Sequence, residues 1–227
     1  MYKLKLNSTI LSLIPIVIFL PLFINLSKNI HLGGIGLASE FIFSAFFPKV
    51  NFDISITLLN RLIETIFIAL TSWTFSMIFG IFFGLISSKI FYKILNFPFI
   101  FGRLIKSILI LIRSIHEVVW GLLLMQIYGI NIYVGIISIC IPYVAINSKV
   151  INEQLDNIDP KIIASILEIN GNKFSSLITL IGHPILDNLR NFGLYRLECA
   201  IRSTTILGLF GLGGIGTSIY LSFQSLS

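Results

Sequence analysis

The chain has 227 residues, of which 56% are hydrophobic and only 11% charged, and its mean hydropathy is +0.95. Soluble domains carry about 25% charged residues. So few polar groups cannot cover a water-facing surface, which excludes an ordinary soluble enzyme, a disordered chain and a nucleic-acid-binding module and leaves an integral membrane protein. The net charge of +6 is then read as basic residues in cytoplasmic loops that set topology.

A membrane helix needs about 20 mostly apolar residues. Residues 9–26, behind the basic start Lys3 and Lys5, meet this although Pro15 and Pro21 interrupt them. With no small-residue cleavage site directly after it, the segment is read as an uncleaved first span rather than a signal peptide. Residues 27–56 are mixed and contain an amphipathic stretch around 37–47, which predicts an external segment near the membrane surface. A second span is predicted over 57–88, followed by Lys89 and Lys93. A third covers 100–128, entered through Arg103 and Lys106, with Arg113 and Glu117 inside it. After the turn Tyr128-Gly129-Ile130-Asn131 a fourth covers 132–148 and ends at Lys149.

Residues 150–185 form the one extended polar region. Asp159 is a natural N-cap with Pro160 at the first helical position, so a short helix is predicted to about Ile169. Asn170-Gly171 supplies its stop, and a second short helix from Lys173 carries Phe174, Leu177, Ile178 and Ile181 as one apolar stripe that ends at Pro184. The stripe packs either on the protein's own helix ends or on a partner. A fifth span is predicted over 188–210, interrupted by Arg190, Arg196, Glu198 and Arg202. The glycine run 211–216 follows, and then the start of a sixth helix, read as truncated. With the N-terminus in the cytoplasm, ten basic residues fall inside, three outside and three (Arg113, Arg196, Arg202) at membrane depth, which places 150–185 in the cytoplasm.

The polar region carries a resemblance. Gly171, nine further residues and then Ile181-x-x-Pro184 resemble the cytoplasmic signature of ATP-binding-cassette (ABC) importer permeases, with Ser165-Ile166-Leu167 at the family's Glu-Ala-Ala positions. Arg113-Ser114-Ile115-His116-Glu117-Val118-Val119-Trp120 resembles the Arg-Ser-Ile-Pro-Glu-x-x-Trp stretch of phosphonate-type permeases. Tyr195-Arg196-Leu197-Glu198, with Arg202-Ser203 through Leu207-Gly208, resembles a second segment of that subfamily, and Phe46-Phe47-Pro48 also has a counterpart there. The resemblance covers roughly residues 40 to 220.

It implies an all-α, polytopic transmembrane bundle of the type I ABC importer permease kind, one permease domain over 1–227 with five complete spans and the start of a sixth. It further implies a bacterial inner-membrane subunit that is not itself an enzyme and binds no cofactor. ATP would sit on a cytoplasmic ABC ATPase dimer, an external solute-binding protein would deliver the solute, and a second permease copy, most simply an identical one, would complete the pathway. Ser165, Ile166, Leu167, Gly171, Ile181 and Pro184 would form the ATPase-coupling element.

Charge at membrane depth costs about 2.5–3.5 kcal/mol per group on insertion scales, so such residues face a cavity or a partner. Arg113 and Glu117, and Glu198 and Arg202, stand four apart and can pair along a helix. They are read either as salt bridges that hold helices together or as a polar lining for an anionic solute. In the second reading Arg113, Arg202 and the neutral donor Ser203 line the path, and Glu117 and Glu198 temper their hold. Cys140, Cys199 and the three histidines show no disulfide or metal-ligand spacing. Gly211, Gly213 and Gly216 match a dinucleotide fingerprint by letter, but that site needs the motif between a strand and a helix with an acid about 20 residues on, a point beyond Ser227, and close packing or a turn at a helix end is expected instead. The function expected is translocation of a small oxyanion such as phosphonate or phosphite. The alternatives are a permease for an amino acid such as methionine, a membrane-embedded enzyme, or a scaffold that transports nothing.

Overall fold

The computed structural model describes residues 15, 17–25, 32–47, 52–170, 172–182 and 186–225, and the regular elements among them are all α-helices. The chain divides into two units, Met1–Phe52 and Asp53–Ser227. In the first, residues 17–25 are helical, and α1 (Leu32–Phe46) contains most of the stretch expected to be amphipathic. Of the expected span 9–26, Pro15 is helical as well, and residues 9–14, 16 and 26 lie outside the described residues.

The second unit is organised by two long helices, α2 (Phe52–Ser87) and α6 (Ile132–Asp156). At 1.5 Å per residue, α2 is about 54 Å long, well beyond the ~30 Å hydrocarbon thickness of a bilayer. Both are long and apolar enough to cross a membrane, but only 28% of the apolar window of α2 is buried, against 61% for α6. Helix α6 is therefore the inner member. It starts at Asn131, whose side chain accepts from Tyr133 N–H at 3.3 Å. The principal apolar core joins Ile68 and Ala69 of α2 to Val134, Ile139 and Tyr143 of α6, with Ala200, Leu207 and Leu212 closing it.

Two small residues bring α2 and α6 together. A Cβ on Gly80 would lie 2.5 Å from Asn147 Cβ, and one on Gly84 2.8 Å from Ile151 Cβ. Their spacing of four is the small-residue pattern that lets membrane helices approach closely, and sequence analysis did not single it out. Polar ties accompany the approach: Ser72 Oγ donates to Ile136 O at 3.3 Å, and Asn147 Nδ2 donates to Ser76 O at 3.1 Å.

Between the long helices lie α3 (Lys89–Leu95), α4 (Ile100–Ser114) and α5 (Glu117–Tyr128). Ser88 caps α3 and donates to Asp156 Oδ1 at 2.9 Å, an atom that also accepts from Lys89 N–H. The ends of α2 and α6 are thereby fixed side by side. The expected span 100–128 is bent: its helix breaks at Ile115-His116, and α4 and α5 diverge by 91°. The physical cause is local. Ile115 is extended, and His116 takes the N-cap position of α5, its Nδ1 accepting from Val118 N–H at 3.4 Å.

Beyond α6 come α7 (Pro160–Asn170) and α8 (Lys173–Gly182), the two short helices the caps predict. Asp159 Oδ1 accepts from Lys161 N–H at 2.9 Å, as an N-cap should. Helix α9 (Leu186–Gly208) then leads through a glycine turn to α10 (Ile215–Ser225). Gly211, Gly213 and Gly214 have φ of 89°, 104° and 77°, angles that L side chains resist. The turn is latched to α2, where Thr65 Oγ1 accepts from Ile215 N–H at 2.8 Å.

Among the described residues two helices are long and apolar enough to cross a membrane, or three if the bent pair α4–α5 counts as one span. The expectation of five complete spans is thus not reproduced by apolarity. Helix α9 has the length, but Asp187, Arg190, Arg196, Glu198 and Arg202 interrupt it.

Candidate functional site

Three helices contribute to one polar chain inside the second unit. Glu117 stands in the first turn of α5, where the helix dipole favours a carboxylate. Its Oε1 accepts a 2.6 Å hydrogen bond from Ser203 Oγ of α9. Ser203 Oγ also meets the Tyr143 hydroxyl of α6 at 3.1 Å. The other side of the chain is cationic: the Arg196 guanidinium lies 5.2 Å from the Tyr143 ring centroid and 5.3 Å from that of Phe192. Ser203 and Tyr143 are buried at 4% and 3% exposure, so the chain runs through the packed interior.

Arg196 is the least compensated member. Its Nε is buried without a hydrogen-bond partner, and among the described residues no carboxylate lies within ion-pair distance of it. The Tyr195 ring is a third aromatic neighbour at 6.0 Å, and each such contact is worth about 0.5–2 kcal/mol against the ~2.5–3.5 kcal/mol cost of a cation at membrane depth. Sequence analysis counted Arg196 at membrane depth but gave it no role. The signal was present: positions three and four away on either side are Phe192, Gly193, Cys199 and Ala200, none of them acidic.

The other expected site residues divide three ways. Glu198 and Arg202 do pair along α9, as their spacing predicts, with side chains 62% and 66% exposed. They sit on the outer surface of the helix while Ser203, next in sequence, points inward. Arg113 and Glu117 do not pair, because the helix break places them on different elements. His116 Nδ1 comes within 3.6 Å of Glu117 Oε2 but already accepts from Val118 N–H. Arg113 lines a separate cavity with Lys106 and Lys149.

In the polar region, Ile166 and Leu167 pack with Ile163 of α7 against Ile90 and Ile94 of α3. Ser165 Oγ donates to Lys161 O at 2.8 Å, and Ser176 Oγ of α8 donates to Ile166 O at 3.5 Å. One side of the helix pair therefore packs on the protein's own helix ends. Ile162, Ile169 and Ile178 remain 51%, 82% and 55% exposed, which leaves apolar surface on the pair as well. Ile181 is the penultimate residue of α8. Gly171 and Pro184 lie outside the described residues.

Comparison with known proteins places this geometry in context. Over 166 residues, 73% of this chain and 59% of the relative, the chain is 19% identical to the phosphite transport system permease protein PtxC of Stutzerimonas stutzeri. It is a distant relative of phosphonate and phosphite transport permeases. It is 30% identical over 73 residues, 32% of this chain, to the cryptic phosphonate transport system permease protein PhnE2 of Escherichia coli, 60% of which is covered. It is 22% identical over 121 residues, 53% of this chain, to the phosphate-import permease protein PhnE of Mycolicibacterium smegmatis, 22% of which is covered. The chain thus matches between about a fifth and three fifths of the length of these permeases. No family model matches the chain, and no solved structure matches it.

Proposed function

We propose that this chain is a membrane-spanning permease subunit of an ABC importer that moves a small oxyanion, such as a phosphonate or phosphite, across the bacterial inner membrane. The similarity to a phosphite permease over 73% of the chain carries the proposal. The uncompensated guanidinium of Arg196 supports the choice of an anion. Arginine presents a planar fork that suits paired phosphoryl oxygens. Ser203 supplies a hydroxyl beside it, and Glu117 keeps the site from holding its solute too tightly for release.

In this reading Glu198 and Arg202, paired on the outer face of α9, face a second permease copy or the pathway between the two copies rather than lipid, because a pair so exposed is costly against hydrocarbon. The helix pair α7–α8 fits a cytoplasmic ABC ATPase dimer, with ATP bound there and not by this chain. ATP-driven closure of that dimer moves α7–α8, and packing through Ile163, Ile166 and Leu167 transmits the movement to α3 and the long helices as a rigid-body shift. An external binding protein delivers the solute. The test is uptake by inside-facing membrane vesicles or cells that carry this chain with a cognate ATPase and binding protein. Phosphite or an alkylphosphonate should accumulate only when ATP is hydrolysed. Accumulation of methionine but of neither oxyanion would replace this reading.

A further inference from the structure

The cavity that holds Arg113 has no part in the polar chain above. It measures about 100 Å³ and opens between the ends of α2 and α6 and the flank of α4. Its floor is built: Asn152, 1% exposed, donates to Ser87 Oγ at 3.1 Å and accepts from Lys106 Nζ at 2.9 Å. Lys149 and Arg113 complete the cationic wall. The one carboxylate there, Glu153, is 3.5 Å from Lys149 and 54% exposed. Among the described residues Arg113 has no carboxylate within ion-pair distance. Three cations thus face one small cavity against a single, outward-leaning acid.

A second cavity of about 330 Å³ lies beside it, and Leu109 lines both. Its walls are apolar, with Phe79 and Phe83 from α2, Ile108 from α4 and Ile141 and Val144 from α6. The helices give the relative depth. The ends of α2 and α6 are tied together through Asp156. Phe83 and Phe79 stand four and eight residues before Ser87, about 6 and 12 Å deeper along the helix. Val144 and Ile141 stand eight and eleven residues before Asn152, about 12 and 17 Å deeper. On α2 the apolar cavity therefore reaches further in than the cationic one, whereas along α4 the two lie side by side, with Lys106, Ile110 and Arg113 facing one and Ile105, Ile108 and Ile112 the other.

Helix α4 repeats the same division. Arg103, Lys106, Ser107, Arg113 and Ser114 fall within an arc of about 120° at 3.6 residues per turn. Phe101, Leu104 and Leu111 lie on the other side, 67%, 61% and 69% exposed. A basic amphipathic helix of this kind lies at a membrane interface.

We propose that these two cavities together bind one anionic phospholipid, its phosphate among Lys106, Arg113 and Lys149 and one acyl chain along the apolar groove. A free oxyanion needs only the first cavity and leaves the adjoining 330 Å³ unexplained. A phospholipid, whose phosphate and acyl chain are joined, uses both adjoining cavities, and basic pockets between membrane helices suit such headgroups. The lipid bridges α4 and α6, and so holds the element that carries the 91° bend. This inference needs only that the chain lies in a membrane, so failure of oxyanion uptake leaves it untouched.

The test is native mass spectrometry of the detergent-solubilised full chain, incubated with an equal mixture of phosphatidylglycerol and phosphatidylcholine. A single phosphatidylglycerol should be retained in preference to phosphatidylcholine by about tenfold or more. The triple variant Lys106→Gln/Arg113→Gln/Lys149→Gln should lose that preference, and Arg103→Gln, outside the cavity on the same helix, should keep it. The ratio is read within one sample, so partial loss of folded protein does not move it. Equal retention of the two lipids by the unaltered chain overturns the proposal, as does equal loss in Arg103→Gln. Displacement of phosphatidylglycerol by millimolar inorganic phosphite also overturns it, in favour of a free-anion station.

Discussion

Arg196 and Ser203 show how much of the candidate site rests on single atoms. The guanidinium of Arg196 has aromatic neighbours and, among the described residues, no carboxylate within ion-pair distance, and in the proposed function its charge is the one that meets the solute. Arg196→Gln is expected to lower oxyanion uptake at least tenfold, about 1.4 kcal/mol, and Arg196→Lys to restore only part of it, because an ammonium is a point charge without the fork. Uptake equal to the unaltered protein in Arg196→Gln would remove this residue from the pathway. Ser203→Ala deletes the 2.6 Å hydrogen bond to Glu117 and leaves a largely buried carboxylate oxygen short of a partner. The expected cost is about 1–3 kcal/mol, visible as a lower melting temperature in detergent. Ser203→Thr, which keeps the hydroxyl, should recover most of it.

At the level of elements, the break between α4 and α5 and the contact between α2 and α6 make opposite predictions about tolerance. His116 has φ −67° and ψ 147°, and Ile115 before it is extended at φ −97° and ψ 126°. Those are angles that a proline and its preceding residue adopt without strain. His116→Pro is therefore expected to fold and transport normally, with stability changed by less than about 1 kcal/mol. A larger loss would mean that the imidazole contributes more than an N-cap. Gly80 is the reverse case. The atom its missing Cβ would strike, Asn147 Cβ at 2.5 Å, is attached to backbone and cannot swing away. Gly80→Ala should cost about 1–3 kcal/mol through overpacking and reduce the folded yield in detergent. Gly34→Ala, where nothing lies within 4 Å, should not.

For the molecule as a whole, the open question with the widest consequence is orientation. The proposed ATPase coupling requires α7 and α8 to be cytoplasmic, the side that the basic-residue count predicts. With Cys140 and Cys199 replaced by alanine, Ser165→Cys on exposed α7 should react with a membrane-impermeant thiol reagent in inverted vesicles and stay unlabelled in intact cells. Labelling from the outside would invert the topology and end the coupling proposal.

Sequence alone determined the membrane class, because 11% charged residues cannot clothe a soluble surface. It also determined α7 and α8, because Asp159, Pro160 and the Asn170 stop act within a few residues of where they stand. The Glu198–Arg202 pair was equally legible, since both residues sit on one unbroken helix. What depended on distant parts of the chain was not. Arg113 and Glu117 have the same spacing of four, yet an extended Ile115 and a capping His116 turn the helix by 91°, so that Arg113 lines a cavity with Lys106 and Lys149 while Glu117 meets Ser203. Composition marks residues 188–210 as a span with awkward charges. Only the packing of Ser203 on Glu117 and Tyr143 separates the inward face of α9 from its outward pair and leaves Arg196 as the one cation of that helix caged by aromatic rings. Local sequence fixes caps and periodicity. Which charges meet across α5, α6 and α9 is set by how glycine-faced helices approach, and that is a property of the assembled bundle.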